Sequence, residues 1–218
     1  MTELRILCLH GYQGSASILR EQTRGFAQGL ERLADFVYVD APTLALGDFG
    51  WWHAKRQATP FALPDPGVAS SIARYEGWSR TLDWVLSTFE REGPFDGVFG
   101  FSQGAALTAL LVGLRSPDQM LMTRKPLGFG FAIMVGGFWA SDPELARLYK
   151  AKQNYEIPSV HIVGRSDSIV PSQNSRSIAA LFQDPLVLEH GGGHIVASTP
   201  EIREKVAEFL QRRATLAE

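Results

Sequence analysis

The sequence VFGFSQGAA, residues Val98–Ala106, decides how the rest of the chain is interpreted. An apolar run precedes Ser102, and a helical pattern that starts at Ala105 follows it. Gly100 and Gly104 flank the serine in a G-x-S-x-G pattern, which is typical of a tight turn between a strand and a helix. Glycine suits such a turn because side chains there would collide with the neighbouring strand and helix. The pattern therefore predicts that Ser102 is lifted above the edge of a sheet.

Short apolar runs alternate with helical patterns along the whole chain. The predicted strands cover residues 4–9, 36–39, 95–101, 129–135, 159–163 and 186–189. The predicted helices cover residues 17–33, 68–91, 105–114, 143–150, 172–182 and 200–212. Strands that alternate with helices indicate an α/β fold, with a mostly parallel sheet and helices on both of its faces.

One domain is expected over residues 1–218, because no Gly/Ser-rich or Pro-rich linker separates two self-sufficient patterns. Periodicity is lost from about residue 43 to 67, in an irregular aromatic segment that could form a lid or a pocket wall. Two interpretations stay open for these rings and for those after the fourth strand, since aromatic clusters bury large areas whether they line an acyl pocket or pack a loop. The residues concerned are Trp51, Trp52, Phe61, Phe138 and Trp139.

Composition argues against several classes of protein. The 21 lysines and arginines nearly balance the 23 aspartates and glutamates, and no basic cluster suggests a nucleic-acid partner. Cys8 is the only cysteine, so no internal disulfide can form, and no Cys/His cluster has the spacing of metal ligands. No signal peptide or membrane-spanning run is visible. We therefore expect a soluble, cytoplasmic protein that needs neither metal nor cofactor.

A nucleophilic serine requires a base, and the base requires an acid that orients it. In a parallel sheet these groups belong on loops beyond the carboxyl ends of the strands. His194 follows three glycines after the last strand, and His190 is its rival. Asp167 follows the fifth strand and gives the chain order Ser, Asp, His, while Asp142 is an alternative that capping of the next helix would also explain.

The negatively charged oxygen that forms during acyl transfer needs hydrogen-bond donors. The pattern predicts two backbone N–H groups, that of Gln103 directly after the serine and that of Tyr12 in the loop after the first strand. His10 in the same loop could be mistaken for a base. We expect it instead to shape the turn through hydrogen bonds.

These motifs together resemble the FSH-type serine hydrolases of the α/β-hydrolase superfamily, which include an animal ovarian-tumour-candidate esterase. The resemblance spans nearly the whole chain and is carried by ILCLHGY (Ile6–Tyr12), Trp51-Trp52, GPFDGVFGFSQGAAL (Gly93–Leu107), the stretch from His161 to Gln173, and GGGH (Gly191–His194). It implies a catalytic triad of Ser102, Asp167 and His194. It also implies a three-layer fold with a six-stranded sheet in the order 2-1-3-4-5-6, counted by the chain's own strands.

The sequence thus predicts a serine esterase that cleaves carboxylic esters with an apolar acyl group through an acyl-enzyme on Ser102, with thioesters as further candidate substrates. The expected partner is a small acyl ester or thioester. An acyl-protein thioesterase or lysophospholipase is the alternative enzyme, since those enzymes share the Gly-Phe-Ser-Gln-Gly elbow. A non-catalytic protein that binds a hydrophobic ligand in the same fold is the alternative from another class.

Overall fold

Residues 3–42, 50–58, 71–115, 127–150 and 154–216 are described in the computed structural model of the chain. The strands are β1 (Leu4–Leu9), β2 (Ala34–Val39), β3 (His53–Ala58), β4 (Ser71–Glu76), β5 (Gly97–Phe101), β6 (Phe131–Val135), β7 (Ser159–Gly164) and β8 (Leu186–His190). The helices are α1 (Ala16–Ala27), α2 (Trp78–Glu92), α3 (Gln103–Leu114), α4 (Pro143–Lys150), α5 (Ser172–Ala179) and α6 (Pro200–Leu216).

The central sheet has six strands in the order β2-β1-β5-β6-β7-β8, and every neighbouring pair is parallel. Counted by the strands of this sheet alone, that order is 2-1-3-4-5-6, which confirms the prediction. Parallel pairing brings the carboxyl ends of β5, β6, β7 and β8 to the same edge of the sheet. The loops that leave these four strands therefore meet at one end of the molecule.

Each face of the sheet packs against its own layer of helices. Successive strand residues point to opposite faces, so Leu7 and Leu9 of β1 belong to one core and Ile6 and Cys8 to the other. Helix α3 lies in the first core, and all its residues are buried. The nearly continuous apolar runs in the sequence follow from this burial on both faces.

A β-hairpin outside the central sheet corrects the prediction for residues 68–91. Residues 71–76 form β4, which pairs antiparallel with β3, and α2 begins only at Trp78. The expected irregular segment likewise contains β3, while residues 43–49 and 59–67, including Phe61, lie outside the described residues. Tertiary contacts explain the error, because Tyr75 stacks on Trp52 and its backbone N–H donates to the Asp142 carboxylate.

Helix α1 also ends earlier than predicted. It stops at Ala27 rather than continuing to residue 33. Gly29 has a φ of +88°, a left-handed conformation that no helix residue adopts. The chain then turns toward β2.

Candidate active site

Ser102 occupies a strained turn between β5 and α3. Its φ of 55° and ψ of −117° are unusual for a residue other than glycine, and its N–H donates to the Val135 oxygen at 2.9 Å. A Cβ on Gly100 would overlap the Gly104 carbonyl, and a Cβ on Gly104 would overlap the Leu9 carbonyl. Both flanking glycines are therefore required by close backbone contacts, for the steric reason predicted from the sequence.

Asp167 and His194 form a short, partly buried hydrogen bond beyond the ends of β7 and β8. The Nδ1 atom of His194 lies 2.6 Å from Oδ2 of Asp167, and only 11% and 2% of the two side chains are exposed. The other carboxylate oxygen accepts the N–H groups of Ile169 and Val170 at 2.9 and 2.8 Å. Because both oxygens are bound, the carboxylate is held in one orientation toward the imidazole.

The pKa of Asp167 lies below its ordinary value of 3.8. Burial by itself would raise that pKa, but the hydrogen bond with His194 and the N–H groups of Val170 and Ile169 outweigh burial. Hydrogen bonds to a carboxylate favour its charged form. The group is therefore an anion at neutral pH.

This lowered pKa predicts a pH-dependent contribution to stability. A carboxylate whose pKa is depressed by folding stabilises the protein above about pH 4 and loses that effect as the pH falls through the folded-state pKa. We expect the wild type to be more stable than Asp167→Asn at about pH 5, with the difference shrinking toward about pH 2. Urea unfolding of both proteins across this range measures it, and a difference that does not change with pH contradicts the prediction.

His194 lies over the same edge of the sheet as Ser102. Its ring packs against that of Phe101, the residue before the serine, with 4.8 Å between ring centroids. Gly136, at the end of β6, provides the space, since a Cβ there would lie 2.9 Å from Cε1 of His194. The structure thus brings Ser102, Asp167 and His194 to neighbouring loops at one end of the sheet.

Asp142 has a structural role. The sequence left two roles open for it, the acid that orients the base and the cap of the next helix. Its Oδ1 accepts the N–H of Glu144 and its Oδ2 accepts the N–H of Tyr75, both at 2.9 Å. Arg74 also lies 3.4 Å from Oδ1. The carboxylate therefore caps α4 and anchors β4.

Two other histidines, His10 and the rival candidate His190, are also bound to backbone groups. His10 donates from Nδ1 to the Gly11 oxygen at 2.7 Å and accepts the Ala41 N–H at Nε2 at 3.0 Å, so both ring nitrogens are used. His190 accepts the Gly192 N–H at Nδ1 at 3.1 Å. Burial lowers the pKa of both residues. Each one shapes a turn.

The two predicted oxyanion donors lie close to the serine. Gln103 is the first residue of α3, and the N–H groups in the first turn of a helix have no acceptor within it. Tyr12 follows Gly11, where a Cβ would lie only 3.2 Å from the Ser102 Cβ. The loop after β1 therefore runs directly beside Ser102.

A cavity of about 670 Å³ opens next to Ser102. Among the described residues, no aspartate, glutamate, lysine or arginine lines it. The lining residues are Tyr12, Trp52, His53, Ala54, Tyr75, Ser102, Gln103, Phe138, Trp139, Ser141, Ile169, Val170 and Asn174. The structure thus brings the predicted residues Trp52 and Phe138 into one cavity with the serine.

Trp51, for which the sequence left a place in the pocket wall open, is not among the described residues that line the cavity. Trp51 is fully buried, and its indole N–H donates to the His10 oxygen at 2.8 Å. Its ring packs 5.1 Å from the His10 ring, in the core beside the loop after β1. Sequence reasoning also missed Tyr75 as a wall residue, because the helical spacing assigned to residues 68–91 concealed the hairpin.

Features of other protein classes are not found in the described parts of the chain. No group of three or more His, Cys, Asp or Glu side chains there is arranged to hold a metal ion. None of the described helices combines the length and the apolar character that crossing a membrane requires.

The parallel sheet, the serine turn and the loops at its edge define an α/β-hydrolase. The sequence profile of a family described as "Serine hydrolase (FSH1)" matches residues 1–206. The chain belongs to this family and is a serine hydrolase.

Curated relatives cover almost the entire chain. Esterase OVCA2 of Danio rerio is 33% identical over 230 residues, which span 96% of this chain and 97% of that protein. Esterase OVCA2 of Homo sapiens is 32% identical, with 97% of both chains covered. Esterase C25G4.2 of Caenorhabditis elegans is also 32% identical and covers 97% of this chain and 94% of its own length.

Solved structures share the fold at lower sequence identity. The Zea mays acyl-protein thioesterase 2 structure has a TM-score of 0.62 at 18% identity and covers 98% of this chain and 94% of its own. Esterase PE8 has a TM-score of 0.62 at 21% identity and covers 97% of this chain and 93% of its own. These similarities establish the architecture.

Proposed function

We propose that the protein hydrolyses carboxylic esters with an apolar acyl group, using Ser102, His194 and Asp167 as its catalytic triad. The observation that carries this proposal is the short Asp167–His194 hydrogen bond on the edge of the sheet where Ser102 adjoins an uncharged cavity. The names of the curated relatives, which are esterases, support it. A cytoplasmic location is part of the proposal, because the only cysteine is buried and unpaired.

The reaction begins with a proton transfer from Ser102 to His194. Because Nδ1 of His194 is bonded to the carboxylate of Asp167, Nε2 is the nitrogen that accepts the serine proton. The serine Oγ attacks the carbonyl carbon, and the carbonyl oxygen becomes negatively charged. The N–H groups of Tyr12 and Gln103 hold this oxygen, assisted by the positive end of the α3 dipole.

The intermediate then collapses to an acyl-enzyme. His194 gives its proton to the leaving oxygen, or to the sulfur of a thioester, and the ester bond breaks. A water molecule gives a proton to His194 and attacks the acyl carbon, and His194 then returns a proton to the Ser102 Oγ as the bond between Oγ and the acyl carbon breaks and the carboxylic acid leaves. Asp167 stabilises the charged imidazole in both halves of the cycle.

The cavity lining favours an uncharged acyl chain, because burying an unpaired charge there is unfavourable. The test is a series of p-nitrophenyl esters that includes the butyrate and the similarly sized monosuccinate, which ends in a carboxylate. We expect kcat/KM for the monosuccinate to be at least about 10-fold lower, mainly through KM. Equal turnover of the two esters contradicts an apolar acyl site.

A second candidate is an acyl-protein thioesterase or lysophospholipase, in which the acyl group is attached to a larger molecule. The open mouth of the site favours it, since Ile169 and Tyr12 line the cavity while 71% and 48% of their surfaces stay exposed. Turnover of an S-acylated peptide, a lysophospholipid and a simple ester of equal acyl length separates these activities. A preference for the simple ester excludes this candidate.

Gly136 offers a test of the position of His194. The change Gly136→Ala places a Cβ 2.9 Å from the imidazole and 3.6 Å from the Asp167 carboxylate, at a φ of +59° that disfavours alanine. We expect kcat to fall by about 10²-fold, because small displacements of a catalytic group have effects of that size. Ester hydrolysis by the purified variant measures this.

Gly137→Ala is the matched control. A Cβ at Gly137 would make only ordinary contacts, at 3.5 Å or more, with Ile178, Ala105 and Met134. It should leave kcat nearly unchanged. Equal activity in both variants contradicts the role assigned to His194.

A further inference from the structure

The side chain of Gln103 is not used in the proposed reaction, yet both ends of its carboxamide are hydrogen-bonded. Its Oε1 accepts the backbone N–H of Trp51 at 3.0 Å, and its Nε2 donates to the Trp52 oxygen at 2.9 Å. Only 6% of the residue is exposed. The first residue of α3 is thus bonded to the backbone of the tryptophan pair before β3.

This pair of hydrogen bonds holds a wall of the cavity. Trp52 lines the cavity, and its ring stacks on Tyr75 with 4.7 Å between centroids and 8° between planes. Tyr75 in turn accepts the Ser141 N–H at its hydroxyl, at 2.8 Å. The ring of Trp52 is therefore supported by the hairpin, and its backbone is bonded to the residue next to the nucleophile.

Gln103 also packs close to the loop that carries Tyr12. A Cβ on Gly50 would lie 3.0 Å from the Tyr12 ring and 3.5 Å from the Oε1 atom of Gln103. The Tyr12 hydroxyl lies 3.2 Å from Nδ1 of His53, which is the first residue of β3. The residues around the nucleophile are thus connected to the segment of Trp51, Trp52 and His53 at two points, through Gln103 and through Tyr12.

At neutral pH the carboxamide of Gln103 makes both bonds, which neither a glutamate nor a methionine at this position can do. A glutamine offers a donor and an acceptor, an ionised glutamate offers acceptors alone, and a methionine offers no donor. Loss of either bond leaves a buried backbone group of the tryptophan pair without its partner, which is unfavourable. The backbone of Trp52 would then shift relative to Ser102.

We propose that the Gln103 side chain is a positioning residue that fixes Trp52 relative to Ser102 and thereby sets the selectivity for acyl-chain length. This inference rests on the proposed ester hydrolysis. A long acyl chain contacts Trp52, whereas an acetyl group extends little beyond the nucleophile. Selectivity between the long acyl chain and the acetyl group therefore reports the position of Trp52. The backbone N–H of Gln103 serves both substrates equally.

The first test is Gln103→Met, assayed with p-nitrophenyl acetate and octanoate. We expect the ratio of the octanoate KM to the acetate KM to change by about 10-fold, while any change in kcat is shared by the two substrates. Thr108→Val is the matched control. It removes a buried hydrogen bond within α3, from Thr108 Oγ1 to the Gly104 oxygen, and leaves the contacts of the two tryptophans unchanged. The control should keep the wild-type ratio of the two KM values.

The second test is Gln103→Glu, which keeps the shape of the side chain. A neutral carboxyl group supplies one donor and one acceptor, and the ionised group supplies only acceptors. The ratio of octanoate to acetate KM should approach the wild-type value as the pH is lowered and depart from it as the carboxyl ionises. Wild type should show no such change, and the acetate reaction corrects for ionisation of the triad.

The outcomes separate this inference from the proposed function. If wild type hydrolyses neither ester, the proposed function fails. If wild type is active but neither Gln103 variant changes the KM ratio, or both KM values rise equally, the positioning role is refuted and ester hydrolysis stands. If Gln103→Met does not fold, the pH dependence of Gln103→Glu decides.

Discussion

Replacing Ser102 by alanine is expected to lower kcat for ester hydrolysis by about 10⁶-fold, as loss of the nucleophile does in serine hydrolases. No acyl-enzyme can form, because no other described hydroxyl occupies the turn between β5 and α3. Labelling by a fluorophosphonate probe should be lost as well. Both effects are measured on purified protein, with circular dichroism to verify that the variant is folded.

Ser141→Ala is the matched control for this experiment. Ser141 lines the same cavity and its hydroxyl lies 3.2 Å from that of Tyr75, but it has no place in the proposed reaction. The control should keep its activity within a few-fold and its probe labelling. Retained hydrolysis in Ser102→Ala, or loss of labelling in Ser141→Ala alone, rejects Ser102 as the nucleophile.

The change Asp167→Asn is expected to lower kcat by about 10⁴-fold. The amide oxygen can keep accepting the N–H groups of Ile169 and Val170, which turns the NH₂ group toward Nδ1 of His194. Nδ1 must then be the acceptor, and the ring proton moves to Nε2. A histidine in that tautomer cannot take the proton of Ser102.

The control for the acid is Asp142→Asn. This carboxylate caps α4 and binds the N–H of Tyr75, so we expect a loss of about 1 kcal/mol in stability with kcat nearly unchanged. Melting temperatures and kcat of both variants distinguish the two roles. If Asp142→Asn loses activity and Asp167→Asn does not, the acid is Asp142.

The central sheet could be predicted from the sequence because its strands carry strong local signals. Apolar runs buried on both faces, separated by helical patterns, leave few arrangements for a parallel sheet. The resemblance to the FSH-type hydrolases supplied the strand order, and the structure confirms it. The hairpin was missed because residues such as Tyr75 pack against Trp52 and bind Asp142, which are contacts between distant parts of the chain.

The roles of Trp51 and Trp52 show the same limit at the site. As neighbours of identical type, they carry equal signals in the sequence. Trp51 packs into the core through its hydrogen bond to the His10 oxygen, while Trp52 faces the cavity. Which of two adjacent rings is buried depends on the loops that meet it, and those loops come from distant segments.

By itself the sequence determined the turn at Ser102. A G-x-S-x-G pattern between a strand and a helix is a local feature. Its glycines are required because a Cβ there would collide with backbone atoms within a few residues of the serine or in the adjoining strand. The resemblance to the FSH-type hydrolases also pointed to Asp167 and His194, but only the tertiary structure shows which side chains are bonded to each other. Asp167 is distinguished from Asp142, and Trp52 from Trp51, by bonds to residues far along the chain, and such bonds exist only after the sheet has brought its loops together.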